Sequence, residues 1–203
     1  MLEVKNVSFG YDEKKNILSD FSASFNENSI TCVLGKSGGG KSTLLRIISG
    51  LLKPSSGEVI YNGKNITKPI DSIFMMHQAY TNFPWKNCIK NVLFPVQLKR
   101  KITTEDVKNA EKMLERVGLK EHIYKYPDEL SGGMKQRLAL ARVLMSCPPV
   151  ILMDEPLSAL DDVTRKEMQD LIMLMNKETK NTIVMVTHNI NDANKMADNI
   201  IKL

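Results

Sequence analysis

The chain has 203 residues, of which 42% are hydrophobic and 25% are charged, and this composition excludes a disordered or fibrous protein. Its formal net charge is +5, but no run of basic residues is long enough for a nucleic-acid-binding arm, so we expect no nucleic-acid partner. The three cysteines are far apart and form no C-x-x-C pair, which argues against a disulfide framework or a zinc site and fits a reducing cytoplasm.

The first third of the chain predicts short strands. The N-terminus, MLEVKNVSFGY, lacks the pattern of a signal peptide, and no apolar run in the chain approaches the length of a membrane span. LEVKNVSFGY and SASFNENSITCVLG are typical of strands interrupted by turn residues such as Asn28. Asn62 and Gly63 lie between two extended runs and predict a hairpin. We therefore expect a protein that is soluble by itself and that opens with antiparallel β structure.

Four short apolar runs follow a different pattern. ITCVLG, SIFMMHQ, VILMDEP and TIVMVTH show no polar–apolar alternation, as expected of strands that are buried on both faces of a parallel sheet. Helical patterns lie between them, including TTEDVKNAEKMLERVGL, with a capping box from Thr103 to Asp106 and a stop at Gly118. Alternating strands and helices indicate an α/β fold.

The stretch from about residue 79 to residue 147 lacks buried-strand runs and predicts an inserted helical lobe. We expect a single domain over residues 1–203. In this interpretation residues 1–78 and 148–203 form the core together with the antiparallel β structure, and residues 79–147 form the helical lobe.

Each of the four apolar runs ends in a polar feature. The runs end in a glycine-rich loop, at Gln78, at Asp154 with Glu155, and at His188. In an open parallel sheet the ligand lies beyond the carboxyl ends of the strands. We therefore expect these four features to converge on one site.

The glycine-rich loop matches the pattern G-x-x-x-x-G-K-[ST], known as Walker A. Glycines let the backbone fold around a phosphate, Lys41 reaches the β- and γ-phosphates, and Ser42 binds Mg²⁺. A strand before the loop and a helix after it supply the required context, which disfavours a chance glycine-rich turn. The predicted nucleotide-binding residues of this loop are Gly35, Lys36, Ser37, Gly38, Gly39, Gly40, Lys41, Ser42 and Thr43.

Two carboxylates end the run VILMDEP. Asp154 is predicted to hold Mg²⁺, usually through water, and Glu155 to orient or deprotonate the attacking water. A strand that ends in acidic residues is also typical of a helix N-cap. The pairing with the glycine loop favours the metal and water roles.

Glutamine, histidine and tyrosine more often have structural or surface roles in proteins than catalytic or binding roles, so Gln78, His188 and Tyr11 are weighed by their positions. Their positions at strand ends favour a contact of Gln78 with Mg²⁺ and the water, and a hydrogen bond from His188 to the γ-phosphate. Tyr11 follows the early strand VSFG, where its ring can stack on an adenine or can be an ordinary turn tyrosine. A second glycine-rich loop, LSGGMKQR, precedes a helix-forming run and is typical of an anion site.

The order and approximate spacing of these motifs resemble those of ABC-transporter ATPase subunits. The resemblance rests on Tyr11, GKSGGGKST, Gln78, LSGGMKQR, VILMDEP, SALD at residues 158–161, and His188, and it covers essentially the whole chain. It implies a P-loop NTPase (RecA-like) core with a mostly parallel sheet, an N-terminal antiparallel β subdomain and an inserted helical subdomain. It also implies that ATP and Mg²⁺ are bound.

In that family LSGG is the signature loop, which binds the γ-phosphate held by the glycine loop of the other subunit. The resemblance therefore implies a head-to-tail homodimer that sandwiches two ATP molecules and drives a membrane permease. Carried over to this chain, Ser131, Gly132 and Gly133 act on the partner's nucleotide, and Asp161 communicates between the two sites.

Finer features resemble the importers of nitrate, sulfonates and taurine. LSGGMKQR and NFPWKNCIKNV after Gln78 carry this likeness, although Trp85 also fits a core residue. It implies an extracytoplasmic solute-binding protein as a further partner and a location on the cytoplasmic face of the membrane. There are two departures. Lys36 stands where proline is common, and the chain stops at NIIKL, so we expect no accessory regulatory domain.

Other functions remain as alternatives. An exporter-associated ATPase of the same family fits the same motifs. A DNA-repair ATPase would separate the two glycine loops by a long coiled coil, for which residues 42–131 have no sustained heptads. A ribosome-associated factor would carry two such cassettes in one chain. A module that uses ATP only as a structural ligand is disfavoured by Glu155 and His188.

Overall fold

The computed structural model describes residues 1–12, 16–77, 82–158 and 160–203. We label its strands and helices in chain order. The bounds are β1 (Leu2–Phe9), β2 (Leu18–Phe25), β3 (Ile30–Leu34), α1 (Lys41–Ile48), β4 (Ser56–Tyr61), β5 (Lys64–Asn65), β6 (Ile73–Met76), α2 (Cys88–Lys99), α3 (Thr104–Arg116), α4 (Gly132–Met145), β7 (Val150–Asp154), α5 (Asp162–Thr179), β8 (Thr182–Thr187), α6 (Ile190–Met196) and β9 (Asn199–Lys202). Two short 3₁₀ turns at Lys120–His122 and Pro127–Glu129 lie between α3 and α4.

Four strands form an antiparallel sheet in the order β2-β1-β4-β5. Strand β1 buries Leu2, Val4 and Val7. The turn between β4 and β5 places Asn62 at φ 49° and Gly63 at φ 75°. Positive φ at both central residues is the geometry that a two-residue hairpin loop requires, and it confirms the predicted hairpin.

Five strands form a second sheet in the order β6-β7-β8-β3-β9. Strands β3 and β8, β3 and β9, and β7 and β8 pair in parallel. Every residue of β7 and β8 is buried. The apolar runs of β3, β7 and β8 therefore mark central strands covered on both faces, which confirms the predicted α/β class. The run SIFMMHQ instead forms β6 at an edge of the described sheet, where Phe74 and Met75 are only partly buried, so the expected burial on both faces is wrong for this run.

The chain divides into two compact units. The first comprises residues 1–75, 149–155 and 173–203. Its core combines apolar residues of both sheets with helix α1, whose Leu44, Leu45, Ile47 and Ile48 are almost fully buried. The second comprises residues 76–148 and 156–172.

The second unit is built on helices. Its core includes Val92 of α2, Ala110 and Leu114 of α3, and Leu138 of α4. Helix α3 begins with the predicted capping box, in which the Thr103 hydroxyl accepts from the backbone of Asp106 and the carboxylate of Asp106 accepts from the backbone of Thr103. The division into a core over 1–78 and 148–203 and a lobe over 79–147 stays a prediction.

A buried asparagine organises the turn before α2. The side chain of Asn91 is 0% exposed, accepts from the backbone N–H of Phe83, and donates to the carbonyls of Phe83, Lys86 and Asn87. This turn presents Trp85, which is 71% exposed and contacts the ring of Phe83. The interpretation of Trp85 as a core residue is therefore wrong.

Candidate functional site

The glycine-rich loop joins the end of β3 to the start of α1. Gly40, the residue before α1, has φ 89°, and a Cβ atom there would lie 2.7 Å from Cγ2 of Ile17. Only glycine satisfies both the backbone angle and the close approach. No side chain caps the N-terminus of α1, and no acidic residue lies in its first turn. The helix therefore points its first backbone N–H groups into the loop, as an anion site requires.

Lys41 is the first residue of α1 and is only 4% exposed. Its Nζ donates to the carbonyl oxygens of Gly35 at 3.0 Å and Lys36 at 2.9 Å. The same Nζ lies 3.4 Å from Oε1 of Glu155. These contacts fix the ammonium group inside the curve of the loop. Lys36, by contrast, contacts Lys41 through its backbone carbonyl, and the residue itself is exposed.

Ser42 and Asp154 lie side by side. The Ser42 hydroxyl donates to Oδ1 of Asp154 at 2.8 Å, and Asp154 is 5% exposed at the end of β7. A hydroxyl and a carboxylate are hard oxygen ligands of the kind that Mg²⁺ uses together with substrate phosphates. In the described part of the chain, no group of three His, Cys, Asp or Glu side chains is arranged to hold a metal ion. The pair of Ser42 and Asp154 fits a magnesium ion that would take its remaining ligands from phosphate and water.

Glu155 follows β7 directly and has φ 45°, an uncommon backbone angle for a residue other than glycine. Its backbone N–H donates to the carbonyl of Val186 in β8 at 3.1 Å. Its carboxylate lies between the side chains of His188 and Lys41. Oε2 is 3.1 Å from Nδ1 of His188, and Oε1 is 3.4 Å from Nζ of Lys41. The side chain of Glu155 is 15% exposed and that of His188 is 56% exposed.

Three of the four predicted strand-end features thus lie within contact distance of one another. The glycine loop, the pair Asp154 and Glu155, and His188 meet at the ends of β3, β7 and β8. Gln78 lies outside the described residues. The roles of these residues in binding and catalysis stay predictions.

Tyr11 also lies beside the glycine loop. Its hydroxyl is 3.3 Å from Oγ1 of Thr43, and its ring packs edge to face against Phe9 with centroids 5.1 Å apart. The residue is 59% exposed. An open aromatic ring at the loop is compatible with base stacking, which stays a prediction beside the simpler role of a turn tyrosine.

The second glycine loop lies in the helical unit, at the start of α4. Ser131 is the N-cap residue, and its hydroxyl accepts from the backbone N–H of Met134 at 3.3 Å. Gly132 and Gly133 form the first turn of the helix. The helix that follows the two glycines confirms the predicted helix-forming run, whereas the capping role of Ser131 was not predicted.

Asp161 stands immediately before α5 in the same unit. Its carboxylate accepts from the backbone N–H groups of Val163 and Thr164 and from the Thr164 hydroxyl. These bonds, led by the one from the Thr164 backbone, hold the pKa of Asp161 below its ordinary value. Sequence reasoning did not single out Thr164, although a threonine three residues after an N-terminal aspartate is compatible with such capping.

Comparisons with known proteins identify a family for this chain. The family model described as ABC transporter matches residues 18–158. The taurine import ATP-binding protein TauB of Roseobacter denitrificans is 40% identical over 98% of this chain and 76% of its own length. The nitrate import ATP-binding protein NrtD of Synechococcus elongatus is 39% identical over 92% of this chain and 69% of its own length.

Solved structures show the same fold. The dimeric post-hydrolysis state of the ATP-binding cassette MJ0796, bound to ADP and Pi, superposes with a TM-score of 0.88 and 32% identity, over 100% of this chain and 94% of that one. This similarity confirms the predicted P-loop NTPase fold. By its motifs, its fold and its relatives, the chain belongs to the ABC transporter family, among the ATP-binding subunits that hydrolyse ATP.

Proposed function

We propose that this chain powers the import of a small solute such as nitrate, a sulfonate or taurine. The support for import is that relatives across nearly the whole chain are named as taurine and nitrate import subunits. The support for hydrolysis at this site is the position of Glu155, whose carboxylate is held between Lys41 and His188 at the mouth of the glycine loop.

In this proposal, different residues of the first unit bind the phosphates, hold the metal ion and accept the proton of water. The N–H groups of the glycine loop and the ammonium of Lys41 bind the β- and γ-phosphates, because both are positive and face the loop interior. Ser42 and Asp154 hold Mg²⁺, which when bound neutralises negative charge on the phosphates. Glu155 accepts the proton of the attacking water. The ring of His188 is kept in place by Glu155 and donates towards the γ-phosphate.

The second glycine loop completes the site of a partner chain. In this proposal Ser131, Gly132 and Gly133 bind the γ-phosphate held by the glycine loop of a second copy, and Asp161 links the two sites. The support is that the cassette MJ0796, with the same fold, was solved as a dimer. Two copies in head-to-tail orientation then enclose two MgATP.

The path for the solute belongs to another polypeptide. No helix in the described ranges is long and apolar enough to cross a bilayer. We propose that the chain sits against the cytoplasmic face of the membrane on a permease, and that an extracytoplasmic solute-binding protein delivers the cargo.

A crosslink tests the dimer. Cysteines at Ser37 and Ser131, in a chain whose three native cysteines are replaced, should join two chains when ATP is present. The matched control keeps the cysteine at Ser37 and moves the second to Thr104, at the start of α3. A crosslink within one chain, or one that forms equally without nucleotide, would show that the two loops do not meet across a dimer.

Reconstitution tests the direction and the cargo. The chain is purified together with its permease and placed in proteoliposomes with ATP on its own side and the solute-binding protein on the opposite side. We expect ATP-dependent movement of labelled taurine or nitrate towards the compartment that contains ATP, and no movement with the Lys41→Ala chain. Movement away from the ATP compartment would favour an exporter.

A further inference from the structure

Within the second unit, the first turns of α4 and α5 lie in direct contact. Gly133 lies in the first turn of α4, and a Cβ atom there would be 2.6 Å from Cγ2 of Thr164. The next nearest atoms, Cβ and Oγ1 of Thr164, are 3.8 Å away. The methyl group of Thr164 therefore fills the space where any larger residue at position 133 would place its side chain.

The other branch of the same threonine is bonded to Asp161. Its hydroxyl donates to Oδ2 of Asp161 at 2.7 Å, while its backbone N–H donates to Oδ1 at 3.0 Å. The backbone N–H of Arg165 donates to the carbonyl of Asp161 at 2.8 Å, which fixes the main chain on the other side. Asp161 and Thr164 thus move as one unit at the start of α5.

The two branches of a threonine cannot move independently. Because hydroxyl and methyl share the same Cβ atom, the χ1 angle that satisfies the hydrogen bond also sets the position of the methyl group. A shift of the Asp161 carboxylate that rotates the hydroxyl therefore displaces the methyl group from Gly133. Closely packed side chains transmit small displacements of one another, because the packed region has low compressibility and few voids.

We propose that Thr164 is a positioning residue that mechanically couples the second glycine loop to Asp161. The inference rests on the proposed function, in which both segments contribute to the ATP site shared by two chains. The bond to Asp161 holds the methyl group against Gly133, and the methyl group holds the first turn of α4 at the depth at which Ser131 meets the partner's phosphate. Thr164 itself does not touch the nucleotide.

Three substitutions separate the two branches. Thr164→Val keeps a methyl group and loses the hydroxyl, Thr164→Ser keeps the hydroxyl and loses the methyl, and Thr164→Ala loses both. In the proposed coupling the hydroxyl and the methyl group act together, so loss of either one removes the whole effect. All three variants should therefore show a similar loss of kcat. We expect kcat to fall about tenfold in each, equivalent to ~1.4 kcal/mol of lost transition-state stabilisation. Independent contacts would instead make the alanine variant about a hundredfold slower, the product of the two single losses.

Besides kcat, three properties of each variant are measured: ATP affinity, the midpoint of dimer formation and the melting temperature. ATP affinity of the dilute single chain reports the first glycine loop and should equal that of the wild type. The protein concentration at half-maximal MgATP-dependent dimer formation, measured by light scattering in a Glu155→Gln background, should rise about tenfold, in line with the expected loss in rate. Melting temperatures report folding, and Thr104→Ala, an exposed threonine in the first turn of α3, is the matched control.

The outcomes separate the two proposals. In the Glu155→Gln background, the chain with Thr164 intact should dimerise with MgATP, and the added substitution Ser131→Arg should prevent this. If Thr164→Ser and Thr164→Val then dimerise as readily as the chain with Thr164 intact, Thr164 has no positioning role. A loss in Thr164→Ala equal to the product of the separate losses would also overturn the coupling. A contact that serves only folding would lower the melting temperature and leave the dimerisation midpoint unchanged. If the Glu155→Gln chain with Thr164 intact fails to dimerise with MgATP, the proposed function is wrong, and the proposed coupling through Thr164 is wrong with it.

Discussion

Replacing Glu155 by glutamine should separate ATP binding from ATP hydrolysis. The amide has the shape of the carboxylate but cannot accept a proton from water at neutral pH. Lys41 keeps its hydrogen bonds to the carbonyls of Gly35 and Lys36, so the variant leaves the ammonium group in place. Loss of the negative charge 3.4 Å from Lys41 also removes a competitor for its interaction with phosphate. We therefore expect ATP affinity equal to or tighter than that of the wild type.

The expected loss in rate follows from the role of a general base. Proton transfer by a positioned side chain contributes about 10²–10⁴-fold to the rate. Its removal raises the barrier by ~3–5 kcal/mol, since each tenfold change corresponds to ~1.4 kcal/mol. Of the two neighbouring carboxylates at the end of β7, that of Asp154 accepts a hydrogen bond from the hydroxyl of Ser42, while that of Glu155 faces Lys41 and His188. Asp154 is therefore not placed to replace the lost base.

Two assays measure these effects. Phosphate release gives the hydrolysis rate, and gel filtration with and without MgATP gives the oligomeric state. ATP-bound dimer should accumulate in Glu155→Gln because hydrolysis no longer dissolves it. Glu58→Gln, which changes an exposed carboxylate on β4, is the matched control and should resemble wild type. A Glu155→Gln chain that hydrolyses ATP at the wild-type rate, or that stays monomeric with saturating MgATP, would refute the assignment of Glu155 as the base.

Three further predictions concern binding and stability. Lys41→Ala should lose ATP affinity and activity together in calorimetric titrations, whereas Lys36→Ala should retain both, because Lys36 holds Lys41 through its backbone carbonyl; the reverse pattern would invert the two roles. Asn91→Ala should lower the free energy of unfolding in urea by ~2–4 kcal/mol, because it leaves buried backbone groups without partners; a change below ~1 kcal/mol would contradict this. The pKa of Asp106 lies well below its usual range, chiefly because Arg100 bonds to its carboxylate. A depressed folded-state pKa stabilises the fold above the unfolded pKa of about 3.9, and this contribution is lost as pH falls from about 5 towards the folded pKa. Asp106→Asn should therefore weaken the acid dependence of unfolding, and an unchanged dependence would exclude this contribution.

Local patterns in the sequence determined much of the fold. The hairpin at Asn62 and Gly63 and the capping box at Thr103 were predictable, because turn and cap geometry depends on residues that are neighbours in the chain. The apolar runs of β7 and β8 predicted central strands, because a strand that is covered on both faces shows no alternation of polar and apolar residues. The glycine loop before Lys41 was equally clear, because its spacing expresses a backbone requirement.

Contacts between distant segments were only partly predictable. The sequence indicated that Glu155 and His188 lie at strand ends, since parallel strands place their carboxyl ends at one edge of a sheet. It did not indicate that Glu155 would bridge Lys41 and His188, because that contact depends on the register of β7 and β8 and on the positive φ of Glu155. Likewise, the exposure of Trp85 follows from how the turn before α2 is held, and not from its apolar side chain.

The chemistry that the chain carries was thus determined by the sequence itself, through residue types whose spacing is set by short loops. The tertiary structure decided which of these residues touch. Ile17 packs where Gly40 leaves room, and the methyl group of Thr164 packs where Gly133 leaves room. Neither contact could be predicted from a sequence motif. Steric fit between segments that are distant in sequence depends on where whole strands and helices are placed, and a local sequence pattern does not determine that placement.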